Sequence, residues 1–290
     1  MLHLANSQLR LDLLDPIADA ARLGPRFCAG GFIWQIHDLA AGAPTPLLAG
    51  PEYPSPDPSP FNAQGLPESF RHRTRNGIPL TWQGSHGIAV GAGTLAEDSN
   101  RYVLLTAPCH WRITPFADRI VFETHSAAAG FAYALVRTIA LTARAVRSTT
   151  RLTNLGAAPL ALQWFAHPFF ALTDGRARVE LPAGTVLPEN PGFTLDAAGT
   201  LSFKRRFAGQ DDGQFSLLGL PPARELNLAV DHPSLARVTF ATSFAPDECP
   251  VWANGHTISV EPYLTLRLAP GASREWRLRY EFIAHPGARS

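Results

Sequence analysis

Cysteine is scarce in this chain. The three residues, Cys28, Cys109 and Cys249, are odd in number, far apart and without a C-x-x-C pair. A disulfide framework and a zinc-type ligand spacing are thereby excluded, and a reducing compartment is expected. Charge is sparse as well: 17% of the 290 residues, with a net of +1. That balance gives no electrostatic case for nucleic acid or an anionic membrane as partner. Arginine greatly outnumbers lysine, but the basic runs Lys204-Arg205-Arg206 and Arg71-His72-Arg73 are short and read as solvated strand ends. No apolar stretch is long enough to span a bilayer. Leu9, Leu11 and Leu13 alternate with Arg10 and Asp12, unlike the basic start and continuous apolar run of a secretory leader. The expected location is the cytoplasm. Helix signal is nearly missing too, with only 16–23, after Asp15, resembling a short helical turn.

What is abundant is apolar residue, 46% of the chain, arranged with period two. Such alternation places apolar side chains on one face of a strand and polar ones on the other. It is clearest at the end of the chain, where Trp276, Leu278, Tyr280 and Phe282 alternate with Glu275, Arg277, Arg279 and Glu281. Similar strands are predicted over 101–106, 119–124, 131–142, 145–153, 160–165, 177–181, 215–220, 226–230, 236–242 and 257–268. Turn chemistry such as Asn154-Leu155-Gly156, Asp174-Gly175 and Pro270-Gly271 separates them. Many strands without alternating helices predict an all-β protein, a large antiparallel β-sandwich, with 1–290 as one domain. The stretch from about 43 to 79 is crowded with proline and polar residues, and is read as a rim of the binding site.

Ten histidines are too many to be all functional. His167 stands out as one titratable group among aromatics in Trp164-Phe165-Ala166-His167-Pro168-Phe169-Phe170, and a core histidine bonded to a backbone carbonyl is the plain alternative. Glu261, in Ser259-Val260-Glu261-Pro262-Tyr263, is likewise a lone charge in an apolar strand. A buried carboxylate must be paired, placed in a cavity or protonated, so Glu261 either faces solvent or sits in a pocket that tunes it as a base. His86 opens a glycine-rich segment. Asp212 leads a turn into a strand, where capping is its default role.

Taken in chain order, these residues resemble the aldose 1-epimerase (galactose mutarotase) superfamily, including its hexose-6-phosphate mutarotase branch. Arg151-Leu152-Thr153-Asn154-Leu155-Gly156, then Ala166-His167-Pro168-Phe169-Phe170, is similar to the family's L-x-N-x-G strand and catalytic histidine strand. Val260-Glu261-Pro262 resembles its late glutamate, and Leu268-Ala269-Pro270-Gly271 its final turn. His86-Gly87-Ile88-Ala89 resembles its first histidine motif, Asp212-Gly213-Gln214-Phe215 its sugar-binding aspartate, and Gly30-Gly31-Phe32-Ile33 its opening strand. Two positions depart from the pattern: Val90 stands where the phosphosugar branch has arginine, and Pro250-Val251-Trp252 falls where galactose mutarotases carry a glutamine.

The resemblance implies an isomerase that interconverts α and β anomers of a small-molecule sugar in carbohydrate metabolism. Glu261 would be the base and His167, as imidazolium, the acid. His86 and Asp212 would hold sugar hydroxyls, Arg71 is the candidate substitute cation, and Trp252 is a candidate wall along with Trp164, Phe169 and Tyr263. No cofactor or metal is demanded. A non-catalytic carbohydrate-binding protein of the same fold is the alternative, and a β-sandwich assembly module would require His167 and Glu261 to lie far apart. The sugar and the oligomeric state are not specified by the sequence.

Overall fold

The period-two segments pair into antiparallel sheets in the computed structural model, which describes residues 1–40, 42–49 and 64–286. The broadest has ten strands, in the order Arg112–Pro115, Arg119–Ala128, Phe131–Thr142, Ala145–Asn154, Ser273–Ile283, Arg237–Thr242, Asn227–Val230, Arg178–Glu180, Thr200–Phe203 and Phe193–Leu195. One face is apolar and buried, and the Trp276, Leu278, Tyr280 and Phe282 series lies on it, each residue at most 1% exposed. The opposite face carries the charged partners of the alternation, as expected for a sheet wetted on one side.

Two smaller sheets cover that apolar face. The first joins Tyr263–Leu268, Leu160–Ala166 and Glu68–Arg71, and the second joins Phe170–Ala171, Thr257–Val260, Cys249–Ala253 and Gln214–Leu218. Trp164 meets Trp276 with ring centroids 5.2 Å apart, and Phe170 meets Phe240 at 6.3 Å, so side chains from both layers interdigitate into one core. The fold is therefore an all-β antiparallel sandwich, as the alternation predicts. Two four-stranded sheets flank it, one built on Leu2–Ala5, Leu9–Leu13 and Ile33–Asp38, the other on His86–Ala89, Gly93–Glu97 and Val103–Pro108. The helical turn expected at 16–23 is a single 3-10 turn, Ala20–Arg22, and no helix among the described residues is long and apolar enough to cross a membrane.

One expectation needs correction. The single strand predicted over 257–268 is two strands in two different sheets, Thr257–Val260 and Tyr263–Leu268, with Glu261-Pro262 at the switch. The parallel case is Leu160–Ala166 and Phe170–Ala171, which change sheets across His167-Pro168. Proline brings no N–H to a ladder and biases the residue before it, so a strand containing it tends to end or leave its sheet there. The two segments lie side by side through the same corner: Phe165 is opposite Tyr263 before it, and Phe170 is opposite Ile258 beyond it.

Under this corner lies a buried ion pair. Arg137 (0% exposed) and Glu68 (2%) are bonded across the core. Arg137 also donates to the Gly30 carbonyl at 2.6 Å and to Ser148 Oγ at 3.0 Å. The carboxylate accepts from Ser148 Oγ at 2.6 Å, Thr150 Oγ1 at 3.2 Å and Trp164 Nε1 at 3.2 Å. Charges out of water persist only when paired and hydrogen-bonded in this way. The network ties the Glu68–Arg71 strand to the ten-stranded sheet.

Candidate functional site

The corner makes the site. His167 follows its strand and is held by its backbone N–H donating to the Pro67 carbonyl at 2.9 Å, while Phe169 N–H reaches the Gly65 carbonyl at 3.0 Å. Glu261 N–H donates to the Pro250 carbonyl at 2.8 Å. Tyr263 N–H, beyond Pro262, donates to the Glu248 carbonyl at 2.8 Å, so backbone bonds hold both segments on either side of their prolines. His167 Nε2 and Glu261 Oε1 stand 3.4 Å apart, both side chains nearly buried. The other ring nitrogen, Nδ1, is 2.9 Å from Ser259 Oγ, two residues before Glu261 on the same strand face, which fixes the imidazole plane.

Aromatic rings enclose the histidine. Phe169 stacks on it with centroids 4.2 Å apart, while Phe27 and Trp252 present edges at 6.2 and 6.0 Å. Burial among them holds the His167 imidazole well below its ordinary range, helped by the Arg26 guanidinium. Burial likewise raises the Glu261 carboxyl to about 8, against the partly opposing pull of Arg26, Arg75 and Arg71. Burial thus opposes charge on both groups and favours the uncharged pair, an imidazole beside a protonated carboxyl, with the same proton count as an imidazolium facing a carboxylate.

The pair opens into a cleft of about 320 Å³ lined by Arg26, Arg71, Arg75, Phe169, Phe215, Trp252 and Tyr263. Of the sequence-derived candidates, His167, Glu261, Arg71 and Trp252 come together there, and Phe169 and Tyr263 supply walls. Trp164 does not; it is fully buried and donates to Glu68 in the core. His86 is not brought to the cleft either. It is exposed on the flanking His86–Ala89 strand, beside Ser85 Oγ at 3.2 Å. Asp212 is also absent from the lining: Arg205 and the Ala208 N–H occupy its carboxylate and draw it down to about 2, with the Arg205 bond the main cause. Asp212 ties down the preceding 205–208 segment, not the turn that it leads. Of the loop expected to form a rim, 50–63 lie outside the described residues, whereas Arg71 and Arg75 line the cleft.

Sequence reasoning missed Arg26, Arg75, Ser259 and Phe215. Ser259 was within reach, since period two along Thr257, Ser259 and Glu261 puts it on the glutamate's face. Arg26 and Arg75 carry no local signal, because only long-range pairing brings their loops to the corner. Among the described residues no group of three or more His, Cys, Asp or Glu side chains is placed to hold a metal ion.

No protein-family model and no curated protein matches the sequence. Solved structures do match the fold along nearly its whole length. A galactose mutarotase related enzyme from Lactobacillus acidophilus superimposes with a TM-score of 0.61 at 11% identity, covering 99% of this chain and 98% of that one. A galactose mutarotase-like protein from Lactobacillus casei gives 0.57 at 14% identity, covering 97% and 99%. One from Clostridium acetobutylicum gives 0.56 at 13%, covering 96% and 93%. At such identities the likeness speaks for architecture, and the architecture of this chain is that of the galactose mutarotase-like β-sandwiches.

Proposed function

We propose that this protein is an aldose 1-epimerase, and that 1–290 act as one sugar-binding domain. The observation that carries the reading is the His167–Glu261 pair, 3.4 Å apart at the base of an aromatic-walled cleft. Changing one anomer into the other requires a base to take the proton of the C1 hydroxyl and an acid to protonate the ring oxygen as the C1–O5 bond breaks. A pair holding one proton supplies both. In the resting tautomer favoured by burial, His167 Nε2 accepts the hydroxyl proton and Glu261 donates to O5. The open aldehyde turns about C1–C2, and closure on the other face returns each proton. Phe169 and Trp252 offer apolar surface to the sugar ring, and Arg71 and Tyr263 offer donors to its hydroxyls. The names of the matching structures, galactose mutarotase related and mutarotase-like, agree with this assignment. The three cysteines are free, which suits a reducing compartment such as the cytoplasm.

The test is NMR anomer exchange over a panel of aldoses. Wild type accelerates exchange, and His167→Ala and Glu261→Gln each lower kcat/KM by about 100-fold to 10,000-fold. Acceleration that survives both substitutions removes the pair from the mechanism. A second reading, a non-catalytic carbohydrate-binding protein, draws support from the placement of His86 and Asp212 outside the cleft; sugar binding without acceleration for any aldose would favour it.

A further inference from the structure

The buried hydroxyls around the corner differ in what they bond. Thr257 Oγ1 donates to the Phe170 carbonyl at 2.8 Å, and Ser69 Oγ to the Arg26 carbonyl at 2.6 Å. A carbonyl only accepts, so each of those hydroxyls is committed as a donor. Ser259 is not committed in this way. Its side chain is fully buried, and its one hydrogen-bond partner among the described residues is His167 Nδ1, at 2.9 Å. A ring nitrogen donates or accepts according to where the imidazole proton sits, so this bond has two possible directions.

The direction decides which nitrogen is reactive. A proton on Nδ1 leaves the lone pair on Nε2, 3.4 Å from Glu261 Oε1, whereas a proton on Nε2 leaves the lone pair against the serine. A second neighbour makes the choice. The imidazole also has the His167 backbone carbonyl as a hydrogen-bond acceptor, and along this side chain only Nδ1 can reach it. A lone pair on Nδ1 would face the lone pairs of that carbonyl, whereas an N–H there is shared by two acceptors, the carbonyl and Ser259 Oγ. The hydroxyl therefore accepts. Phe169, stacked on the ring with centroids 4.2 Å apart, holds the plane in which Nδ1 meets both oxygens. Among the described residues no carboxylate bonds Nδ1. A hydroxyl orients the ring without drawing a second proton onto it, as a carboxylate in its place would.

We infer that Ser259 is a positioning residue: by accepting from Nδ1 it keeps the ring proton there and presents Nε2 as the nitrogen that takes and returns the sugar's proton. The first half of this stands on hydrogen-bond geometry, and the second rests on the epimerase reading. Once Nε2 has gained the hydroxyl proton, the ring is an imidazolium protonated on both nitrogens. The bond from Nδ1 to Ser259 Oγ is then charge-assisted, stronger during the reaction than at rest. Loss of the hydroxyl should therefore weigh on turnover more than on binding.

The experiment reads the tautomer directly, by NMR of isotope-labelled imidazole nitrogens, with the His167 signals assigned by their loss in His167→Gln. Melting curves establish that each variant is folded. Near neutral pH the wild-type ring should carry its proton on Nδ1, and a proton found on Nε2 instead overturns the proposal. Ser259→Ala should raise the share of the Nε2-protonated form. It should also lower kcat for anomer exchange by about tenfold, the equivalent of one hydrogen bond, with KM within about twofold of wild type. Ser259→Thr, which keeps the hydroxyl, should recover most of both. Thr257→Val is the control on the same strand face: it removes a buried hydroxyl bond that does not touch the ring, so the melting temperature should fall while tautomer and kcat stay in place. An unchanged tautomer in Ser259→Ala, or a kcat lowered no more than in Thr257→Val, overturns the proposal. The expected tautomers with no aldose accelerated by wild type would keep the hold of Ser259 on the ring proton and defeat the epimerase reading instead.

Discussion

From about pH 5 to 8 the carboxyl of Glu261 keeps its proton in the folded chain while the same group ionises in the unfolded one, because burial opposes the charge. The folded state therefore binds the extra proton. Its contribution to stability is complete below the ordinary glutamate range and is lost as pH rises through about 8. Glu261→Gln should flatten that decline, read as denaturant midpoints across the interval. His167 has the opposite sign: its imidazole stays neutral when folded, so its contribution is present above the ordinary histidine range and is lost progressively as pH falls from that range to the depressed folded value. The same protonation predicts the rate. Once Glu261 ionises, the pair has a base and no acid, so kcat/KM should fall above about pH 8. A profile flat through that point would remove Glu261 as the proton donor.

At the scale of an element, the Glu68–Arg71 strand holds Arg71 at the cleft and is itself anchored by a carboxylate buried with Arg137. Arg137→Met or Glu68→Gln leaves the other charge buried without its partner and should cost about 3–5 kcal/mol in urea unfolding, much more than loss of an exposed pair such as Arg237 with Glu180. Replacing both residues together should cost less than the worse single change. This is also the scale at which the sequence stops being readable. His167 and Glu261 could be found because each is a lone polar residue in an apolar strand with proline after it. Glu68 stands in the short polar strand Glu68–Arg71 with proline before it, and the plain order of residues does not say which arginine lies opposite it 69 positions away. His86 fails for the converse reason: its glycine neighbours resemble a motif, but its strand belongs to a flanking sheet and its own side chain is exposed while the rest of the strand is buried. Local chemistry identifies a group that is unusual where it stands, whereas the meeting of loops is decided by strand pairing over long separations.

For the molecule as a whole, the last strand is the keystone in sequence terms. Ser273–Ile283 lies fifth of ten in the broad sheet, bonded to Ala145–Asn154 on one side and Arg237–Thr242 on the other. It also places Trp276, Leu278, Tyr280 and Phe282 in the core. A chain cut before residue 273 should lose cooperative unfolding altogether, seen as absence of a thermal transition. Pairings that span more than a hundred residues also predict slow refolding, of milliseconds or longer in stopped flow. The His-Pro and Glu-Pro corners bear on this assembly in a different way. A strand slipped by one residue would turn its inward side chains outward and set a proline where an N–H is needed. Neither corner has a neighbouring register to occupy, so the gap between proton donor and acceptor is gauged by the backbone and not by how two long side chains happen to reach. A single residue inserted between Phe165 and His167, or between Ser259 and Glu261, would leave most of the sandwich in mesh and put the two jaws of the site out of line.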